Sequence, residues 1–380
     1  MIFPAPARTC LLGLAALLLG LPAAHALINL DGTRNQLFVF GSVTLAYDSN
    51  VFSDSSGRGD YTVTGAVGAE MKRRAGIIAV NATLTFNYAS YSKYSHEDSF
   101  NPNLHVEFNK TTGRTTGAFT ISAFRESRSD SAVNLRTNSW NFPLGLNLKY
   151  PVNDRYYFTS ETTYLRRQYV QTTALANLTD YSQALDVFYV YTSRLDLVGG
   201  YRIRVSKTSL GSDSYDHWFN VGASGGLLAK LNGTVRLGYQ IRDVRGTGQQ
   251  SYANFNALAA IGWPVTRKLS LNGQLSRDFN TIATGASVDS TSAALNASYA
   301  FSRKVEFNAG LGYGLNRFLG TTPPPPPRRD TFFSFNVGAR YKMNEHLQVG
   351  AAYTYFRNWS TFALSGFDRQ GFSLDVSSRY

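Results

Sequence analysis

The stretch Val80–Tyr88, VNATLTFNY, decides the fold: Val80, Leu84, Phe86 and Tyr88 take alternate positions, and Asn81, Thr83, Thr85 and Asn87 lie between them. A period of two puts the apolar set on one face of a strand and the polar set on the other. The division recurs in both directions along the chain. Leu37, Val39, Val43, Leu45 and Tyr47 oppose Ser42 and Thr44, and Phe142, Leu144, Leu146, Leu148 and Tyr150 oppose Asn141, Gly145, Asn147 and Lys149. Phe307, Leu311, Tyr313 and Leu315 oppose Glu306, Asn308, Gly312 and Asn316 in the same way. The alternating segments run about ten to fourteen residues, whereas strands of soluble sheets average about 5 to 6. Crossing hydrocarbon at a tilt takes roughly 9 to 11 residues, so the pattern predicts an all-β, transmembrane, antiparallel up-and-down barrel, apolar towards lipid and polar towards a lumen.

The connections alternate in length. Tight turns at Arg73–Gly76, Pro151–Asp154, Lys230–Gly233, Ser302–Arg303 and Asn344–His346 separate pairs of strands. Longer polar links fall at Ser49–Asp60, Ser92–Pro102, Ser127–Thr137, Gln168–Asp180, Phe318–Asp330 and Asn358–Phe367. Short periplasmic turns and longer external loops are the asymmetry of an outer-membrane barrel. Counting between them predicts about eighteen strands, within a range of about 16 to 18, with both ends of the barrel on the periplasmic side. Tyr47, Tyr88, Tyr150, Tyr156, Trp263, Tyr299, Tyr341 and Tyr355 sit near strand ends, as interfacial girdles require.

Residues 1–26 read as a signal peptide, with Arg8 before the apolar run Leu11–Leu21 and the small-residue site Ala24–His25–Ala26 after it, placing cleavage after Ala26. Residues 27–35 then form a short periplasmic lead-in and 36–380 a single barrel domain. Cys10 is the one cysteine, so no intramolecular disulfide or thiolate metal site is available. The 23 Tyr and 25 Phe, against 12 Pro and 3 Met, favour pleated sheet and membrane interfaces. Net charge is +12, but the Lys and Arg are scattered singly without a basic helix or recognition motif, which argues against nucleic acid. A basic exterior suits outer-membrane lipid and its anionic lipopolysaccharide. His96, His105, His217 and His346 show no metal-ligand spacing, no cofactor fingerprint occurs, and no GxSxG elbow indicates catalysis.

If the phases hold, the lumen carries charges of both signs, and Arg202, Arg204, Arg236 and Arg242 form a basic wall that draws anions. The alternative is a network of ion pairs that stiffens the wall. Pro323–Pro327 followed by Arg328 and Arg329 reads as a stiff polyproline II spur in an external loop.

The chain ends GFSLDVSSRY, with Phe372, Leu374, Val376 and Tyr380 in one phase before the terminal carboxylate. This resembles the signal read by the barrel-assembly machinery, with Tyr in place of the commoner Phe. Near the other end, YDSNVF (Tyr47–Phe52) closes the first strand and precedes a Ser- and Asp-rich loop. That opening, the eighteen-strand layout and the terminal aromatic resemble the β-barrel porin type 2 family, although Asp48 and Asn50 also suit a loop-capping role. The resemblance implies association with exopolysaccharide export and its components. The expected function is a non-enzymatic, porin-like channel for small hydrophilic solutes or in support of exopolysaccharide export. A structural or assembly barrel with a closed lumen and a barrel enzyme of phospholipase or protease type are the rivals.

Overall fold

The computed structural model describes residues 28–29, 35–170, 175–210, 213–246, 249–320 and 328–380. The signal peptide expected at 1–26 and the proline run at Pro323–Pro327 lie outside the described residues. A two-residue strand, β1 (Ile28–Asn29), precedes eighteen long ones. The first nine are β2 (Asn35–Asp48), β3 (Asp60–Ala75), β4 (Ile78–Tyr91), β5 (Ser99–Lys110), β6 (Thr116–Asp130), β7 (Leu135–Pro151), β8 (Tyr156–Tyr169), β9 (Leu178–Val190) and β10 (Leu195–Thr208). The rest are β11 (Asp213–Gly226), β12 (Asn232–Arg245), β13 (Gln250–Pro264), β14 (Leu269–Thr281), β15 (Ser287–Ala300), β16 (Val305–Leu319), β17 (Arg329–Lys342), β18 (Leu347–Ser360) and β19 (Phe367–Arg379).

Each long strand pairs antiparallel with the next, and β19 pairs with β2 from Gly371↔Asp48 to Arg379↔Phe40. The sheet closes on itself, as hydrocarbon demands, since no backbone edge can be left there without partners. Eighteen strands in up-and-down order is the architecture read from the alternation. Within the lead-in, β1 pairs back on the first barrel strand through Ile28↔Leu37 and Asn29↔Gln36.

The phases follow the sequence reading. Leu84, Phe86 and Tyr88 face outward and are exposed, as are Leu144, Leu146, Leu148 and Tyr150. Tyr150, Tyr156, Trp263, Tyr299 and Tyr341 are exposed near the periplasmic turns, and Tyr88 and Tyr61 near the opposite rim. Several external links are shorter than composition predicts. β6 runs to Asp130 and β7 begins at Leu135, so the connection is 131–134 rather than Ser127–Thr137. Ser127, Arg128, Thr137 and Asn138 read as loop because both faces are polar, yet they pair in the ladder above the bilayer, where water bathes both sides. Likewise Ser99 and Asn101 are strand residues of β5.

Barrel closure ends on Tyr380. Its N–H donates to Val39 O at 2.9 Å, its carbonyl accepts from Val39 N at 3.0 Å, and its ring stacks on His346 with centroids 5.0 Å apart. Phe372, Leu374 and Val376 face lipid on the closing strand, opposite Tyr47, Leu45 and Val43. In detergent, the protein shows β-sheet circular dichroism with almost no helix and a heat-modifiable band on denaturing gels, and substantial helix contradicts the barrel. Deleting Tyr380, or combining Phe372→Ser with Tyr380→Ser, lowers the heat-modifiable outer-membrane fraction several-fold; full assembly of the double variant shows that the closing rung and its aromatics are dispensable.

Candidate functional site

The inner face is polar by phase, and around β10–β14 it is dense. Arg202 and Arg204 on β10, Asp216 and Trp218 on β11, Gln240 and Arg242 on β12, and Asp278 on β14 converge there. Asp216, Gln240 and Arg242 are fully buried and Trp218 is 1% exposed. Asp216 lies between two arginines: Arg242 donates from Nε and Nη2 at 2.6 and 2.7 Å, and Arg204 from Nε at 2.9 Å. Arg202 donates to Asp278 at 2.8 Å and lies over the Trp218 ring, 3.8 Å from its centroid. Trp218 Nε1 donates to Gln240 at 2.8 Å and to Asp278 at 3.0 Å. Arg236, lower on β12, donates to Asp186 at 2.8 Å. Gly200 lets that carboxylate in, since a Cβ there would sit on Asp186 Oδ1.

All four arginines of the expected basic wall are therefore interior, and each guanidinium meets a carboxylate. β10 and β14 are four strands apart in the wall, so Arg202 reaches Asp278 only because β14 has moved inward. The ladder between β13 and β14 runs from Pro264↔Ser270 to Ala257↔Arg277 and stops. Above that point the outer half of the β14–β15 hairpin folds behind the wall. Phe279 and Asn280 present their carbonyls to Arg204 and Arg242, the latter at 2.8 Å. Phe279 has the phase of a lipid-facing residue but is 1% exposed, packed inside near the Arg242 guanidinium. Asp289 on β15, also outward by phase, accepts from Asn254 of β13 at 2.8 Å and from Arg277 at 2.9 Å. The hairpin tip is tied to the β8–β9 loop, where Ala176 N donates to Ala283 O at 2.7 Å.

A second hairpin leans inward opposite the first. The β5–β6 ladder stops at Asn103↔Phe124, next to Pro102, which has no N–H to donate. The tip of β6–β7 meets three other external loops over the mouth: Asn134 donates to Ser53 O at 3.0 Å and accepts from Ser365 Oγ at 2.5 Å, and Arg328 donates to Ala132 O at 2.7 Å. The YDSNVF segment is the hub of this cluster. Asp48 holds Arg369 and accepts from Asn50 N at 2.9 Å; Asn50 reaches Asp54 O and Asp368 O; Val51 and Phe52 are buried against Tyr91. Asp48 and Asn50 thus carry the loop-capping role. Burial works against the charged form of Asp54, but bonds from Ser56 and Arg58 outweigh it and hold its carboxyl below the usual range.

His105 faces the interior, with Nδ1 2.7 Å from Ser122 Oγ. Among the described residues, no group of His, Cys, Asp and Glu is arranged to hold a metal. The sequence reading omitted Asp216, Trp218 and Gln240, although all three share the polar phase of their strands, and a tryptophan between Asp216 and Asn220 in that phase was the available signal.

Solved structures of similar form are outer-membrane proteins. The chain aligns with Pseudomonas aeruginosa OccK3 (OpdO) at 12% identity and a TM-score of 0.51, covering 90% of this chain and 95% of that one. It aligns with the P. aeruginosa outer membrane protein opdK at 9% identity and a TM-score of 0.50, covering 90% and 99%. For the FrpB iron transporter from Neisseria meningitidis the values are 10% and 0.49, and the alignment covers 84% of this chain but 62% of the transporter, less than two thirds of its length. At these identities the likeness shows the fold alone. No curated protein matches the chain. Residues 200–380, from β10 to the closing strand, match the model of the family described as "Putative beta-barrel porin 2", so a barrel of porin-like, outer-membrane form carries that family's sequence pattern over these residues.

Proposed function

We propose that this protein is a channel for small hydrophilic solutes whose conductance is set by the inward-folded half of the β14–β15 hairpin. The interrupted β13–β14 ladder carries the reading. A barrel of about 18 strands is wide enough for an aqueous passage unless something fills it, and here the filling element is a piece of the wall. Continuing the register beyond Ala257↔Arg277 would set Phe255 opposite Phe279, Asn254 opposite Asn280 and Ala253 opposite Thr281. The two free edges therefore match. The hairpin has two sets of partners: the arginines of β10 and β12 when tucked, and the β13 backbone when returned to the wall. A role in exopolysaccharide export is compatible with the same passage and rests on the family resemblance.

Removing one partner from a buried ion pair costs about 3–5 kcal/mol, which is large enough to shift such a balance. Two engineered disulfides test it, in a chain whose one cysteine is Cys10. Ala253→Cys with Thr281→Cys captures the hairpin in the wall, and Ala176→Cys with Ala283→Cys holds it tucked. In planar bilayers, oxidation raises single-channel conductance several-fold in the first variant and suppresses opening in the second, and reduction reverses both. Equal conductance in all states shows that the hairpin does not set the passage. Silence of the wild type and of every variant contradicts the channel itself.

Replacing Arg202, Arg204, Arg236 and Arg242 together by Gln raises conductance and turns a weakly selective passage towards cations, because the four arginines are balanced by the three carboxylates of Asp186, Asp216 and Asp278, which the variant leaves without counter-charges. Reversal potentials across a salt gradient measure this. Loss of a marked anion preference restores the basic wall as a selectivity element.

A further inference from the structure

The outward face of the barrel is apolar in its middle rows except in one sector. On β8 and β9, Ser160, Thr162 and Gln183 take the outward phase. They lie between Tyr156 and Tyr189 on the periplasmic side and Tyr164 and Tyr181 on the other. Thr162 Oγ1 donates to Gln183 Oε1 at 2.6 Å, and Gln183 Nε2 donates to Ser160 Oγ at 3.0 Å. In the same lateral row, Gln183 neighbours Ile203, and Ile203 neighbours His217. His217 is thus also outward, with Nδ1 2.7 Å from the Tyr201 hydroxyl. Among the described residues, nothing hydrogen-bonds to Nε2 of this imidazole. The corresponding rows on β3, β4 and β18 carry Val63, Val67, Leu84, Phe86, Val349 and Ala351.

We infer that this sector of β8–β11 is the contact surface for a second copy of the same chain. Acyl chains offer nothing to Nε2 of this imidazole, whereas the Gln183 amide is already held by Thr162, Ser160 and the Ala184 carbonyl and keeps a second lone pair on Oε1. A neighbour that presents such an acceptor at this depth satisfies His217. A copy inserted in the same orientation does so by construction, because its own Ser160, Thr162, Gln183 and His217 lie at the same level. The flanking β9 and β11 also suit a two-fold contact centred on β10: the axis sets the β9 side of one copy against the β11 side of the other, so the Gln183 side meets the His217 side twice. Gly199 on β10 leaves an indentation of about 780 Å3, bordered by Val221, which is 68% exposed, and Leu237, which is 60% exposed.

The test uses the full-length protein in lipid nanodiscs and in mild detergent. Ile203→Cys puts a thiol on the proposed axis, between Gln183 and His217, and Val67→Cys puts one on the apolar wall as a control. Oxidation is expected to yield a covalent dimer at least ten times more abundant for Ile203→Cys than for Val67→Cys. Mass measured by light scattering should be a multiple of the monomer, and Gln183→Leu with His217→Phe should shift it to monomer while the heat-modifiable band is kept. A monomeric wild type, equal cross-linking of the two cysteines, or native mass spectrometry showing lipid rather than protein held at this face overturns the inference. Neither result depends on whether the barrel conducts.

Discussion

Everything in this molecule follows from the absence of any hydrogen-bonding solvent in the hydrocarbon layer. Backbone N–H and C=O groups must find each other within the wall, and eighteen strands closed from β19 to β2 are one solution. Towards the outer rim the wall loosens: the β5–β6 and β13–β14 ladders each stop after eight rungs, β6 and β7 continue with polar residues on both faces, and hairpins leave the wall. The inward-folded segments belong to that end of the barrel.

The alternation made the fold legible because one face meets lipid and the other does not, and no shuffling of individual residues hides a period of two repeated eighteen times. The same logic located the arginines. Arg202, Arg204, Arg236 and Arg242 share strands with Ile203, Leu237, Tyr239 and Ile241, and a lipid-facing arginine near the midplane would cost about 2–4 kcal/mol, so their inward direction was determined. Their partners were not. Arg236 meets Asp186 across three strands and Arg202 meets Asp278 across four, distances that depend on curvature and on a hairpin leaving the wall. Local pattern carries no record of either.

Phe279 and Asp289 show where phase reading reaches its limit. Both occupy outward positions by parity, and both are buried inside because the segment carrying them has slipped behind β13. Parity describes a side of a strand; it describes lipid only where that strand lies in the wall. The composition of the hairpin is consistent with this. Arg277 and Asp289 pair on the face that would otherwise meet the interface, an ionic pair that suits contact with Asn254 better than contact with acyl chains. Phe279 suits either place, which is what a segment with two sets of partners requires.

The ion pairs also explain why a net charge of +12 says little about selectivity. Arg202 with Asp278 and Arg236 with Asp186 are matched pairs that project little field over any longer distance, and Arg204 and Arg242 share Asp216, so the cluster of four arginines keeps one positive charge rather than four. What remains is mechanical. Asp216 is buried with an arginine on either side, and those two arginines hold the carbonyls of Phe279 and Asn280. One carboxylate therefore orients two cations, and the cations hold a strand that has no ladder on its β13 side. In the proposed channel that charge network is the latch, and its strength depends on the water that the external loops admit, since hydration weakens the ion pairs that keep the hairpin inside.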